Sequence, residues 1–142
     1  MARTNQGVFH EIREKVKNLK DSFEQEVRLY FRCSDENELY RNVENCWDIG
    51  NDFYSTFAYS ANEIYVKAKE LEKFIEYSLK TIKFEQEPKK KEYEDMFSET
   101  SEIRKKIAKL FFDVLELYSR YSISEIEQET LNKFQLYHDL KS

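Results

Sequence analysis

Apolar residues recur at steps of three and four along nearly the whole chain. In the first segment they are Phe9, Ile12, Val16, Leu19, Phe23, Val27 and Tyr30. The pattern continues through Leu39, Val43, Cys46, Phe53 and Phe57, with Gly50 in phase, and then through Ala61, Ile64, Ala68, Leu71, Ile75, Leu79 and Ile82. Only an α-helix brings residues so spaced onto one face, and each such face must be covered by another. The chain is therefore expected to be all-α, an antiparallel bundle of four or five long amphipathic helices. Composition agrees: two glycines and one proline leave little material for the tight turns of a β-fold. Eleven Phe and ten Tyr supply wide plates to fill the gaps between helices.

The breaks in the pattern divide a single domain, residues 1–142, into segments. The first helix is expected over about residues 6–32, capped by Thr4 or Asn5. Asp35 followed by Glu38 forms a capping box for a second helix. From there the stripe runs in phase to Ile82, which permits one helix of about 50 residues, roughly 75 Å long. Ser60-Ala61-Asn62-Glu63 is also a capping box, which permits a break near residue 60, and both readings stand. A linker is expected near 85–91, around Pro88 and the run Lys89-Lys90-Lys91. Tyr93, Met96, Ile103, Ile107, Leu110, Phe111, Val114, Leu117, Tyr118 and Tyr121 make the stripe of the next helix, from about residue 91 to 121. A last helix starts at the box Ser122-Ile123-Ser124-Glu125 and runs to about Leu140. Ile126, Thr130, Phe134 and Tyr137 face inward on it.

Net charge is −5 with acids and bases well mixed, so an extended nucleic acid is not expected as a ligand. No stretch approaches the ~20 apolar residues of a membrane span, and Met1 to Gly7 lack the apolar core of a signal peptide. Cys33 and Cys46 form no CxxC pair, and nothing in them requires an oxidising compartment. A cytoplasmic protein is expected, with no membrane association and no cofactor.

Two places carry more apolar surface than one helix contact needs. Phe111, Phe112, Val114, Leu115, Leu117 and Tyr118 cover over half of a helical wheel. Tyr40, Trp47 and Tyr54 recur every seven residues as a ridge beside the main stripe. Such faces serve either as a second contact within the monomer or as an interface, where Trp and Tyr are favoured anchors. The partner-binding candidates are Tyr40, Trp47, Tyr54, Phe112 and Leu115. The functional expectation is a noncatalytic protein–protein interaction module (an adaptor, assembly subunit or small inhibitor) that forms a homodimer.

The rival reading is catalytic. Glu44, Asp48 and Asp52 stack at four-residue steps, and Asp113 and Glu116 lie three apart. Glu44, Asp48, Asp113 and Glu116, brought together on facing helices, would offer oxygen ligands for Mg²⁺. The stretch from Asp113-Val114-Leu115 through Ile123-Ser124-Glu125-Ile126 to Lys133-Phe134 resembles the final two helices of MazG-type nucleotide pyrophosphohydrolases. That resemblance covers about a quarter of the chain and implies an all-α Mg²⁺-dependent dimer or tetramer. The chain departs from the family pattern at Leu110, where an acid is required, and lacks the EExxE helix. Asp113 is equally placed to pair with Lys109, and Glu116 with Arg120, at i,i+4. His10 and His138 belong to no HxxxH or ExxH pair. Arg3 and His10 have a spacing similar to the R-x4-6-H motif of HEPN ribonucleases.

Overall fold

A computed structural model describes residues 5–31, 38, 57–83, 87–119 and 125–141. Five helices cover nearly all of them: α1 (Asn5–Phe31), α2 (Ala58–Thr81), α3 (Glu87–Ser119), α4 (Glu125–Leu131) and α5 (Gln135–Lys141). The described residues contain no strand, and the fold is all-α. Three helices are long, of 27, 24 and 33 residues, whereas α4 and α5 have seven each.

The three long helices run up, down and up. Lys15 of α1 lies over the Phe74 ring of α2, and Glu26 further along α1 bonds to Ser60 at the start of α2, so these two are antiparallel. Phe9 packs on Tyr93 with ring centroids 5.6 Å apart, placing the starts of α1 and α3 together. The start of α2 meets the late part of α3 through Phe134, whose ring touches both Tyr59 and Phe111.

The stripes become the core. Ile12, Val16, Leu19 and Phe23 of α1 are buried, as are Ala61, Ile64, Ala68, Leu71 and Ile75 of α2. Tyr93, Met96, Ile103, Ile107, Leu110, Phe111 and Val114 line α3 on the same terms. Thr100 fills the place between Met96 and Ile103. It is fully buried, and its hydroxyl donates to the Met96 carbonyl at 2.8 Å, which satisfies the polar group without outside help.

Several helix boundaries differ from expectation. The box at Ser60 starts no helix: α2 includes Ser60, and Phe57 before it already has helical dihedrals of −61° and −45° with no side-chain cap. Continuity further upstream lies outside the described residues. The linker is shorter than 85–91, because α3 begins at Glu87 and contains Lys89 to Lys91. Pro88 is tolerated there since the first turn of a helix needs no backbone donor.

The last helix is two helices, not one. The N–H of Asn132 still reaches the Gln128 carbonyl at 3.0 Å, but those of Lys133 and Phe134 bond only three residues back, to Thr130 and Leu131, both at 3.1 Å. The tightened turn ends α4. It carries Phe134 inward and lets α5 leave in a new direction, with Leu131, Phe134 and Leu136 all buried.

Ile107→Ala, at a fully buried position, is expected to cost about 3 kcal/mol in urea unfolding with an unchanged slope. Tyr77→Ala, at a side chain 65% exposed, is expected to stay within about 0.5 kcal/mol.

Candidate functional site

Among the described residues the most developed constellation is the corner where α4 and α5 meet α2 and α3. Its centre is Phe134, 2% exposed. The Tyr59 ring meets it edge-on with centroids 4.9 Å apart and the Phe111 ring at 6.5 Å, the edge-to-face geometry that aromatic quadrupoles favour. Gln128 donates to the Tyr137 hydroxyl at 3.2 Å and ties α4 to α5. The Asn132 carbonyl takes a further bond from the His138 ring.

A polar row flanks this aromatic centre. Asn62, Tyr65 and Lys69 recur at steps of three and four on one side of α2 and face α5. Asn62 Oδ1 accepts the N–H of Leu136 at 3.0 Å, supplying a partner to one of the first-turn donors that α5 cannot satisfy itself. Asp139 accepts from Tyr65 Oη at 2.6 Å, Lys69 Nζ at 2.7 Å and Gln135 Nε2 at 2.8 Å. The Lys69 and Tyr65 donors hold the Asp139 carboxyl down at about 2. Burial, reinforced by Asp139, pushes the Tyr65 phenol up to about 12. Arg104 of α3 bonds to Glu72 of α2 and extends the row across the bundle. Tyr65 was not expected in the core, since it lies one residue off the stripe. It is buried because α5 covers that flank of α2.

A second feature is a groove of about 490 Å³ between α1 and α2. Leu19 and Leu71 form its floor, and Lys15, Asn18, Lys67 and Phe74 are among its walls. The ammonium of Lys15 sits 5.5 Å from the Phe74 ring centre. Glu26 lies towards the far end of the same helix pair. Its Oε2 is buried with no hydrogen-bond partner among the described residues. Burial raises the carboxyl above its ordinary value; Ser60 opposes this and Glu63 adds to it.

The residues expected to carry function are dispersed in their fates. Phe112 stands out from α3, 49% exposed, while Leu115 is 8% exposed and belongs to the core. Tyr40, Trp47 and Tyr54 lie outside the described residues, as do Glu44 and Asp48. Asp113 accepts from Lys109 Nζ at 2.8 Å, the i,i+4 pairing, and Glu116 is exposed one turn on. Among the described residues no group of three or more His, Cys, Asp or Glu is placed to hold a metal ion. No described helix is long and apolar enough to cross a membrane. His10 is exposed on α1, far along the chain from the His138 turn.

No family model, curated protein or solved structure matches the chain.

The two shifted carboxyls have opposite effects on stability. Glu26 is raised in the fold, so folding favours its neutral form. Its penalty is absent below the ordinary value of 4.5, grows as pH rises through that value, and is complete above the folded value. Glu26→Gln is therefore expected to melt higher than the parent at neutral pH and to converge with it in acid. Asp139 is lowered, so its stabilisation is present above the ordinary 3.8 and disappears as pH falls towards about 2. Asp139→Asn is expected to melt lower at neutral pH and to flatten that acid limb. Thermal unfolding of the three proteins as a function of pH checks both signs.

Proposed function

We propose that this chain is a noncatalytic protein–protein interaction module, of the adaptor, assembly-subunit or small-inhibitor kind, which presents a preformed helical face and forms a homodimer. The observation that carries the reading is Phe112. Its neighbours Leu110, Phe111, Val114 and Leu115 are taken up by the core, and among the described apolar side chains of this run Phe112 alone stays half exposed. An aromatic ring carried on a helix can be buried on association at little cost in side-chain entropy. Tyr40, Trp47 and Tyr54, spaced seven apart in the sequence, are the further anchors we assign to the interface. Leu115 contributes from beneath, by holding α3 in place. A bundle of four or five long helices acting in the cytoplasm belongs to the same reading.

Affinity in such an interface comes from burying the aromatic anchors, while the mixed surface charges set register and reject wrong partners. Neither role needs a cofactor. The Lys109–Asp113 pair fits this reading, since it occupies a carboxylate that the Mg²⁺-dependent alternative would need.

Light scattering coupled to size exclusion is the test, run over a range of concentration with and without Mg²⁺ and a nucleoside triphosphate. A metal-indifferent dimer with intact nucleotide is expected. Phe112→Ala and Trp47→Ala are each expected to weaken it about 30-fold or more, with helical content retained. A monomer at every concentration overturns the homodimer. Nucleotide turnover that is lost in Asp48→Ala and Asp113→Ala replaces the module with a pyrophosphohydrolase.

A further inference from the structure

We infer that the α4–α5 unit is an exchangeable element: it detaches from the α2–α3 corner as one piece, and the socket it leaves accepts the same unit of a second copy of this chain. The inference rests on the reading of the chain as a self-associating module and names the contact through which two copies join.

The socket has two parts. One is an apolar seat, with the Tyr59 and Phe111 rings closing on Phe134 from the start of α2 and the late part of α3. The other is a row of polar side chains on α2. Asn62 takes the Leu136 N–H, and Tyr65 and Lys69 converge on the Asp139 carboxylate. Together they read a short pattern: an aromatic residue, a free backbone N–H two positions on, and a carboxylate three beyond that. The segment that satisfies it by construction is this chain's own, so a second copy offers an occupant with complementary shape and charge.

The physical balance favours release of α4–α5 before the rest of the molecule. Helices of seven residues do not stand alone in water, so both depend on the docking contact. Ordering these residues has a large entropic cost, offset among the described side chains by the burial of Leu131, Phe134 and Leu136 and by the bonds to Asp139. The Lys69–Asp139 pair is partly solvated, with side chains 36% and 26% exposed. Such a pair directs register more than it resists opening. The long helices keep their own contacts when α4–α5 leaves, since Phe9 on Tyr93, Lys15 over Phe74 and Arg104 on Glu72 involve neither short helix. Local opening of this kind draws on the unit with the shortest contact to the rest of the fold, and α5 meets α2 over a shorter stretch than the long helices meet one another.

The Lys69–Asp139 contact also supplies the test. Its amine and carboxylate are close enough for a carbodiimide to join them as an amide without a spacer. Full-length protein is prepared with ordinary and with heavy nitrogen, mixed in equal parts at high concentration, incubated and cross-linked. After digestion the Lys69–Asp139 linked peptide is weighed. Exchange predicts linked peptides that combine one ordinary and one heavy half, increasing with incubation time and protein concentration. Tyr65→Phe, which keeps the ring but removes one donor to Asp139, is expected to reach that mixture several-fold sooner. Hydrogen exchange on the unmodified chain is expected to show the amides of α5 opening faster than those of α3 around Ile107.

Linked peptides of uniform isotope alone, at every concentration and also in Tyr65→Phe, overturn the exchange. So does an α5 whose amides open only with those of α3. A dimer that is lost in Phe112→Ala yet yields only uniform links leaves the module standing and removes this inference alone.

Discussion

Burial of the α2 stripe between α1 and α3 is the constraint on which the other contacts depend. Ala58, Ala61 and Ala68 are fully buried, and Ile64, Leu71 and Ile75 share their face at 5% exposure or less. Small residues let neighbouring helices approach closely, and the larger ones then interdigitate across the narrowed gap. Once α2 is held this way, the directions of α1 and α3 follow. Lys15 reaches Phe74, Phe9 reaches Tyr93, and Arg104 reaches Glu72.

The charged contacts are consequences of this packing and add little to it. Lys15–Glu11, Lys67–Glu63 and Lys109–Asp113 are exposed i,i+4 pairs along single helices, each contributing about 0.3–0.5 kcal/mol. Asp139 differs because its donors come from two helices and converge on one carboxylate. It fixes where α5 lies along α2, while Phe134 fixes how deep the α4–α5 turn sits. Glu26 is the opposite case. It occupies a position where the packing of α1 on α2 buries a carboxylate oxygen, and the fold carries that cost.

The proposed function is drawn from what the packing leaves over. The late part of α3 is apolar over more than half of its circumference in sequence. The core takes Leu110, Phe111, Val114 and Leu115, and the α4–α5 corner closes over Phe111. Phe112 remains at the surface. The proposed association and the proposed exchange of α4–α5 both lie at this end of the molecule, where the start of α2 and the late part of α3 meet.

The sequence by itself determined the helical class and most of the core. Residues such as Ile12, Val16, Ile75 and Ile107 repeat at a period that no other backbone converts into one face. It also paired Asp113 with Lys109, because i,i+4 neighbours are set by a single helix. Only the tertiary structure decided the end of α4, the burial of Tyr65 and the divided fates of Phe112 and Leu115. Each depends on what a second element covers: α5 lies over Tyr65, and Phe134 turns inward because a seat exists between Tyr59 and Phe111. The candidate site is of this second kind. Phe134 and Tyr137 were legible as inward-facing, but Asn62, Lys69 and Asp139 read in one dimension as ordinary surface residues. They are brought together from 70 or more positions apart, a separation across which periodicity carries no information.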